Sequence, residues 1–428
     1  MRTIKRWLAA LCVLLAAVPA LAESYTVTTA GTLSTLVGDK KSTITELTLS
    51  GQLNGTDFIF IRQMAALTKL DMLNVEIVAG GDAYYGEYKT TGHNIPECLL
   101  NRAWVGDEFV APLQSIVLPK GITTIGKYAF AGMYTLNSVT LPEGLLTIEE
   151  GAFSSTDLTS LTLPSTLETL GHYVLGGCGR ITTIHIPKAL KSFGILDPHN
   201  IQEFTVDEEN AYFTTYDGSL YSKDLSTLYV VSHKERESLV IPEGVTRIAI
   251  CAARDYQMTS VTLPQSLVTL EEQAFANTGL TSVHFPANVA ELGLRVFASC
   301  PITSITVDEA STNLAVQDNV LFTKDMRELL LYPMGLTAES YAIPEGVTTL
   351  CWGAFELVNS LKQLTLPYSL RKIDKWAVNA LHALESVTIP PLCTEIGLQA
   401  FFNCKGLKRV TIPGNVTSLG GHVFYGCI

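Results

Sequence analysis

Ser138-Val139-Thr140-Leu141-Pro142 decides the fold, because the chain writes this phrase repeatedly. Ser115-Ile116-Val117-Leu118-Pro119 precedes it and Ser160-Leu161-Thr162-Leu163-Pro164 follows. It returns as Ser260–Pro264, Gln363–Pro367, Ser386–Pro390 and Arg409–Pro413. The anchoring prolines are Pro119, Pro142, Pro164, Pro187, Pro242, Pro264, Pro286, Pro344, Pro367, Pro390 and Pro413. They stand 22 or 23 residues apart, except across the long steps from Pro187 to Pro242 and from Pro286 to Pro344. A fixed period of this size marks stacked coils. The 428 residues, which by length alone suggest two or three compact domains, therefore read as one solenoid.

Each unit has a physical reading. Val139 and Leu141 alternate with Thr140, the pattern of a short half-buried strand, and Pro142 ends it because proline donates nothing to a ladder. Two further apolar slots follow, the first carrying Ile122, Leu145, Leu267, Val347, Leu370 and Val416, the second Ile125, Ile148, Leu270, Ile396 and Leu419. A glycine often comes next (Gly126, Gly171, Gly194, Gly293, Gly397, Gly420), which we read as a sharp turn that needs a permissive backbone. The unit closes on Phe130, Phe153, Phe275, Phe297, Phe355, Phe401 or Phe424. No such unit buries its apolar side alone, so neighbours must stack, and at ~4.8 Å per strand about a dozen coils span on the order of 60 Å. The outward threonines Thr140, Thr162, Thr262, Thr365 and Thr388 then form a polar face.

The phrase apolar-Thr-Leu-Pro, then Ile-Gly-x-x-Ala-Phe, then an optional Cys, resembles the BspA-type leucine-rich repeats of bacterial surface proteins over roughly residues 113–428. It lacks the mid-unit Asn and longer helical back side of the commoner leucine-rich repeat. The resemblance implies a β-rich right-handed solenoid with short parallel strands. It also implies an adhesin-like role toward host matrix proteins and other bacteria, with no particular ligand; the alternatives are glycan capture for nutrient uptake, with the tyrosine-rich loop as platform, or a structural role in the envelope.

The long steps repeat each other. Phe204-Thr205-Val206-Asp207 matches Ile305-Thr306-Val307-Asp308, and Asp217–Asp224 matches Asp318–Asp325. Each continues into an apolar run across a Lys-Asp turn, so hairpins are expected within about residues 203–237 and 304–339. They either project from the rod, bringing Tyr216 and Tyr221 to a binding surface, or only widen one coil. Asp207-Glu208-Glu209-Asn210 lacks the glycine and closing glutamate of a calcium loop and reads as a solvated acidic turn.

Residues 23–112 lack the regular period and are expected to cap the first coil, with a short helix over 57–64. Tyr84, Tyr85 and Tyr88 lie among Gly80, Gly81 and Gly86. That aromatic loop either offers rings to a sugar or protein, or packs against the cap.

Arg2, Lys5 and Arg6, the apolar stretch Trp7–Val18 and Ala20-Leu21-Ala22 form an export signal, with cleavage expected after Ala22 and the mature chain free of any transmembrane segment. The net charge of −12 argues against nucleic acid as a partner. Apolar residues at 47% exclude disorder. The histidines, including His185 and His284 on strand positions, show no metal spacing. No nucleophile elbow, phosphate loop or zinc motif occurs, so neither enzyme activity nor a cofactor is expected. Cys178, Cys300, Cys404 and Cys427 share one phase, a small buried slot where cysteine acts as a modest hydrophobe. Only Cys404 and Cys427 fall in adjacent coils, and they are expected to stay reduced. The partner expected is an extracellular protein or glycan. The oligomeric state is not legible.

Overall fold

The computed structural model describes residues 21–105, 110–196 and 200–427. The basic residues and the apolar stretch Trp7–Val18 of the expected export signal lie outside them. Each coil has three sides. A front strand such as Ser138–Thr140 is followed by a two-residue back strand such as Thr147–Ile148, then by a return turn to the next front strand. Front strands pair in parallel at like residues, Ser115↔Ser138 and Ser386↔Arg409. Back strands do the same, Thr124↔Thr147 and Lys372↔Glu395. The result is a parallel β-solenoid of leucine-rich repeats, with the apolar slots and the phenylalanines filling its core. Phe130 stacks on Phe153 at 5.2 Å, Phe275 on Phe297 at 5.7 Å and Phe401 on Phe424 at 5.6 Å.

The glycine column has a different cause from the one its sequence suggests. Gly126, Gly171, Gly194, Gly293, Gly397 and Gly420 do not have positive φ. A Cβ at any of them would instead lie 2.3–2.6 Å from a backbone nitrogen of the preceding coil. Glycine is there because two main chains touch. The turning itself is done by other residues. Two residues further along stand Tyr128, Tyr173, Gln273, Arg295, Trp376, Gln399 and His422, each with φ between 53° and 58°. Four residues beyond those, Gly132, Ser155, Gly177, Asn277, Ser299, Ala380, Asn403 and Gly426 are left-handed as well.

These residues feed a second hydrogen-bond ladder. Tyr128, Phe130 and Gly132 donate their N–H groups to the carbonyls of Glu150, Ala152 and Ser154 in the next coil. Gln273, Phe275 and Asn277 donate to Leu294, Val296 and Ala298. The coils beginning at Pro142, Pro242, Pro367 and Pro390 make the same three bonds. The return turn is therefore bonded coil to coil like a strand, although it is not one.

The amino-terminal segment shares its sheet with the first repeats. Ala22–Val27, Glu46–Leu53 and Lys69–Ile77 lie parallel, in the register Ala22↔Glu46↔Lys69↔Ser115. The period is hidden there by longer strands and by helix Gly55–Arg62. Buried Asp57 accepts the N–H groups of Gly31, Leu33 and Asn54. Buried Arg62 donates to the carbonyls of Tyr84, Cys98 and Leu99 and so ties the aromatic loop to the coil behind it.

The two inserts do not project. Phe213–Tyr216, Ser219–Ser222 and Thr227–Val230 form an antiparallel triplet whose last strand pairs in parallel with Arg247–Ile248 of the next coil. Leu314–Gln317, Val320–Thr323 and Glu328–Leu331 repeat the arrangement against Thr349–Leu350. The middle strand is a wall across the core. Leu220 packs with the amino-terminal apolar cluster and Tyr221 with the middle one. Leu321 belongs to the middle cluster, Val320 and Phe322 to the carboxy-terminal one. Burial on both faces holds the triplet inside the rod, because exposing it would strand apolar residues from two cores at once.

Two glycines separate main-chain contact from freedom of the chain. Gly171→Ala would place its methyl 2.6 Å from the Glu150 nitrogen, whereas Gly121 has nothing within 4 Å and no positive φ. In urea unfolding, Gly171→Ala should lose about 2 kcal/mol or more through overpacking, while Gly121→Ala stays neutral or gains a few tenths. Equal midpoints for the two variants would remove the contact explanation.

Candidate functional site

The outward positions of the front strands form a regular, mainly polar surface. Thr140, Thr162, Thr262, Thr365 and Thr388 are all exposed, but they do not lie in one sheet. Thr140 sits opposite Val117 in the amino-terminal sheet. Thr262 pairs with Val240, which is 66% exposed. Thr162 belongs to no strand, because Ser160–Leu163 has extended sequence but no assigned ladder. Thr365 and Thr388 share a four-stranded sheet built from Ser340–Ala342, Gln363–Thr365, Ser386–Thr388 and Arg409–Thr411. There the outward residues are Ser340, Ala342, Gln363, Thr365, Ser386, Thr388, Arg409 and Thr411, all exposed and none acidic. This sheet is a polar platform of four paired front strands.

His185 and His284 lie on the same side. Each places Nδ1 2.9 Å from a threonine hydroxyl of the neighbouring front strand, Thr205 and Thr306 respectively. Both pairs sit on the strand just before an insert. They are exposed rungs of the front face.

The tyrosines divide. Tyr84 is buried under the Arg62 guanidinium, 5.5 Å from its ring centroid, and its hydroxyl donates to the Glu97 carbonyl at 2.7 Å. It anchors the loop and offers no binding surface. Tyr221, 1% exposed, is fixed in the wall between two cores and is likewise withdrawn from the surface. Tyr88 (44% exposed) and Tyr216 (48%) remain accessible, with half-buried Tyr85 against Tyr88 at 6.0 Å. The sequence signal for Tyr221 was misleading because a strand buried on both faces reads like one that is exposed on one face.

The cysteine slot has a chemistry beyond its size. Cys178, Cys300, Cys404 and Cys427 each place Sγ 3.0–3.1 Å from a carbonyl of the preceding coil: Phe153, Phe275, Val378 and Phe401. The thiol caps a carbonyl of the return turn, and Thr156 fills the same slot with a hydroxyl bonded to Phe153. Burial pushes Cys404 up to about 12 and Cys98 up to about 11, and it raises the phenols of Tyr84, Tyr221, Tyr256 and Tyr341. Among the described residues no group of three or more His, Cys, Asp or Glu side chains is placed to hold a metal. No helix among them is long and apolar enough to cross a membrane.

A coil of front strand, back strand and bonded return turn, repeated with only side-chain variation, defines a leucine-rich-repeat scaffold. The model of the BspA type leucine rich repeat region matches residues 109–216, 229–324 and 334–428, in six copies, and the chain belongs to that family. The matched stretches break at the two triplets. Proteins of this family are binding scaffolds of cell-surface type. No curated protein matches the chain. Among solved structures, a leucine-rich repeat protein from Eubacterium ventriosum is similar, with 20% identity over 71% of this chain and 85% of that one, at a TM-score of 0.52. A leucine rich cell surface protein from Faecalibacterium prausnitzii shares 22% identity over 82% and 83%, TM-score 0.41. A leucine-rich repeat protein from Bacteroides ovatus shares 21% over 82% and 83%, TM-score 0.38. The likeness to the first of these is one of fold.

The raised thiols and phenols set the alkaline limit of stability. Each is held neutral in the fold above its ordinary value, 9.0 for cysteine and 10.0 for tyrosine. Their contribution is whole below about pH 9 and is lost as the pH rises toward the folded values. Urea midpoints should be level from pH 7 to 8.5 and fall between pH 9 and 11. A midpoint that rises across that interval contradicts the burial argument.

Proposed function

We propose that the protein is an exported binding module that holds an extracellular protein against its front sheets. The supporting observation is the four-stranded platform carrying Thr365 and Thr388, flat, hydroxyl-rich and free of acidic side chains in a chain whose net charge is −12. Hydroxyls at strand spacing offer donors and acceptors without the desolvation cost of charge. A scaffold that repeats one coil supplies area, and area without a deep reactive cleft suits adhesion. Host matrix proteins and the surfaces of other cells are the partner classes, with the resemblance to bacterial surface proteins as the reason. Export rests on the basic and apolar residues of the amino terminus with cleavage after Ala22. Ala22 pairs with Glu46 at the first rung, so processing there trims the end of that strand.

The test is immobilised matrix proteins and a glycan array probed with the chain from Glu23, alongside an unrelated solenoid. Binding to a matrix protein, cut at least tenfold by Thr365→Lys with Thr388→Lys, supports the reading. No signal above the control on either panel ends it. Glycan binding that survives those changes but falls with Tyr88→Ala transfers the site to the aromatic loop.

A further inference from the structure

The second insert leaves a gap in the return-turn ladder. Arg295, Phe297 and Ser299 occupy the positions that elsewhere donate three N–H groups to the following coil, as Gln273, Phe275 and Asn277 do one coil earlier. Among the described residues, none of these three N–H groups has an acceptor. The cause is topological. Ser282–Phe285 and Ser304–Val307 stay paired on the front, but on the back Leu314–Gln317 and Val320–Thr323 wedge between Glu291–Leu292 and Glu328–Leu331. The rod opens on two sides and stays closed on the third.

The opening is a cavity of about 340 Å³. Its apolar lining includes Phe297, Leu321, Leu330, Leu331, Tyr332 and Met334. Arg295 bridges it, bonding Glu356 at 2.8 Å with its guanidinium 5.9 Å from the Trp352 ring centroid. Glu328, exposed at the rim, accepts only the Cys351 thiol at 3.7 Å and has no cation partner among the described residues. The first insert has an equivalent but smaller notch of about 160 Å³ beside Phe193 and Tyr229. Its matching donors fall partly outside the described residues.

We propose that the notch at the second insert is a docking slot for an extended segment of a protein partner, bonded through its main chain to Arg295, Phe297 and Ser299. The floor calls for one bulky apolar side chain. Glu328, on a chain of net charge −12, calls for a Lys or Arg near that anchor. Three donors at alternate residues match the carbonyls of an extended backbone, the same complementarity by which a peptide adds a strand to an open edge. This narrows the reading of the protein as a protein-binding module and rests on it.

The test is an array of synthetic decapeptides with a central Leu, Phe or Trp and a Lys, Arg or Glu two to four residues away. Peptides with the basic residue should bind, and their acidic counterparts should not. Leu330→Trp, which fills the notch, and Glu328→Lys, at an exposed rim position, should each weaken binding at least tenfold. Should Leu330→Trp fail to fold, Glu328→Lys carries the comparison. Amide exchange gives a readout that a structural role would not move. In the free protein the N–H groups of Phe297 and Ser299 should exchange ~100-fold faster than those of Phe275 and Asn277, and bound peptide should protect them. Equal exchange rates, no peptide bound, or binding indifferent to both variants overturns the slot. Matrix-protein binding that is lost with Thr365→Lys and Thr388→Lys but indifferent to the notch variants overturns the slot while the broader reading stands. Blank panels throughout remove both.

Discussion

Contact between the main chains of successive coils is the constraint on which this structure depends. At Gly171, Gly293 or Gly397 one backbone lies so close to the coil before it that no Cβ fits. Nearby, two left-handed residues turn the chain so that its N–H groups meet the carbonyls of the next coil. At two of the coils where the glycine is replaced, an acid does related work. Glu149 accepts the Lys127 N–H at 3.1 Å and Glu271 the Ile250 N–H at 3.0 Å, each reaching the nitrogen that a glycine backbone would otherwise cover. Once the coils are held at this spacing, like residues must stack, and the columns of phenylalanine, leucine and threonine follow.

The same constraint explains what the inserts do. A ladder closed on three sides can absorb extra strands only by opening somewhere. At the second insert Ser282–Phe285 and Ser304–Val307 remain paired on the front, while the back ladder ends at Glu291–Leu292 and a new sheet begins with the two additional strands. The middle strand of each triplet meets apolar residues on both faces, so the insert joins two cores instead of ending one. At the second insert the return turns on either side make none of the usual three bonds among the described residues, and the notch is what remains.

Much of this was legible in the sequence because it recurs. The period, the proline that ends each front strand and the phenylalanine that closes each unit are written many times in phase, and the structure places them accordingly. What was not legible depends on contacts between coils. Gly171 reads as a turn residue because glycine commonly is one, and only the neighbouring nitrogen shows otherwise. Tyr84 sits among glycines and reads as exposed, yet Arg62, more than twenty residues away, reaches its carbonyl and covers its ring. The thiols of Cys178 and Cys404 look like filler until the carbonyl of the preceding coil is seen in front of them. The front threonines were legible as outward residues, but not as members of separate sheets, since the front ladder breaks at the unladdered stretch at Thr162, at each insert and again between Ser260–Thr262 and Ser282–Phe285.

The two surfaces that result differ in what they can discriminate. The front platform repeats a threonine at Thr365, Thr388 and Thr411, and a recurring column gives a partner several similar registers. Such a surface supplies contact area but little selectivity, since sliding by one coil changes few contacts. The notch breaks that degeneracy. It occurs once in its larger form, its three donors have a fixed direction, and Glu328 and the Arg295–Glu356 pair give its two rims different charge. A repeat protein that must recognise one partner needs a place where the repeat fails, and the inserts create that place while Ser282–Phe285 and Ser304–Val307 stay paired beside it.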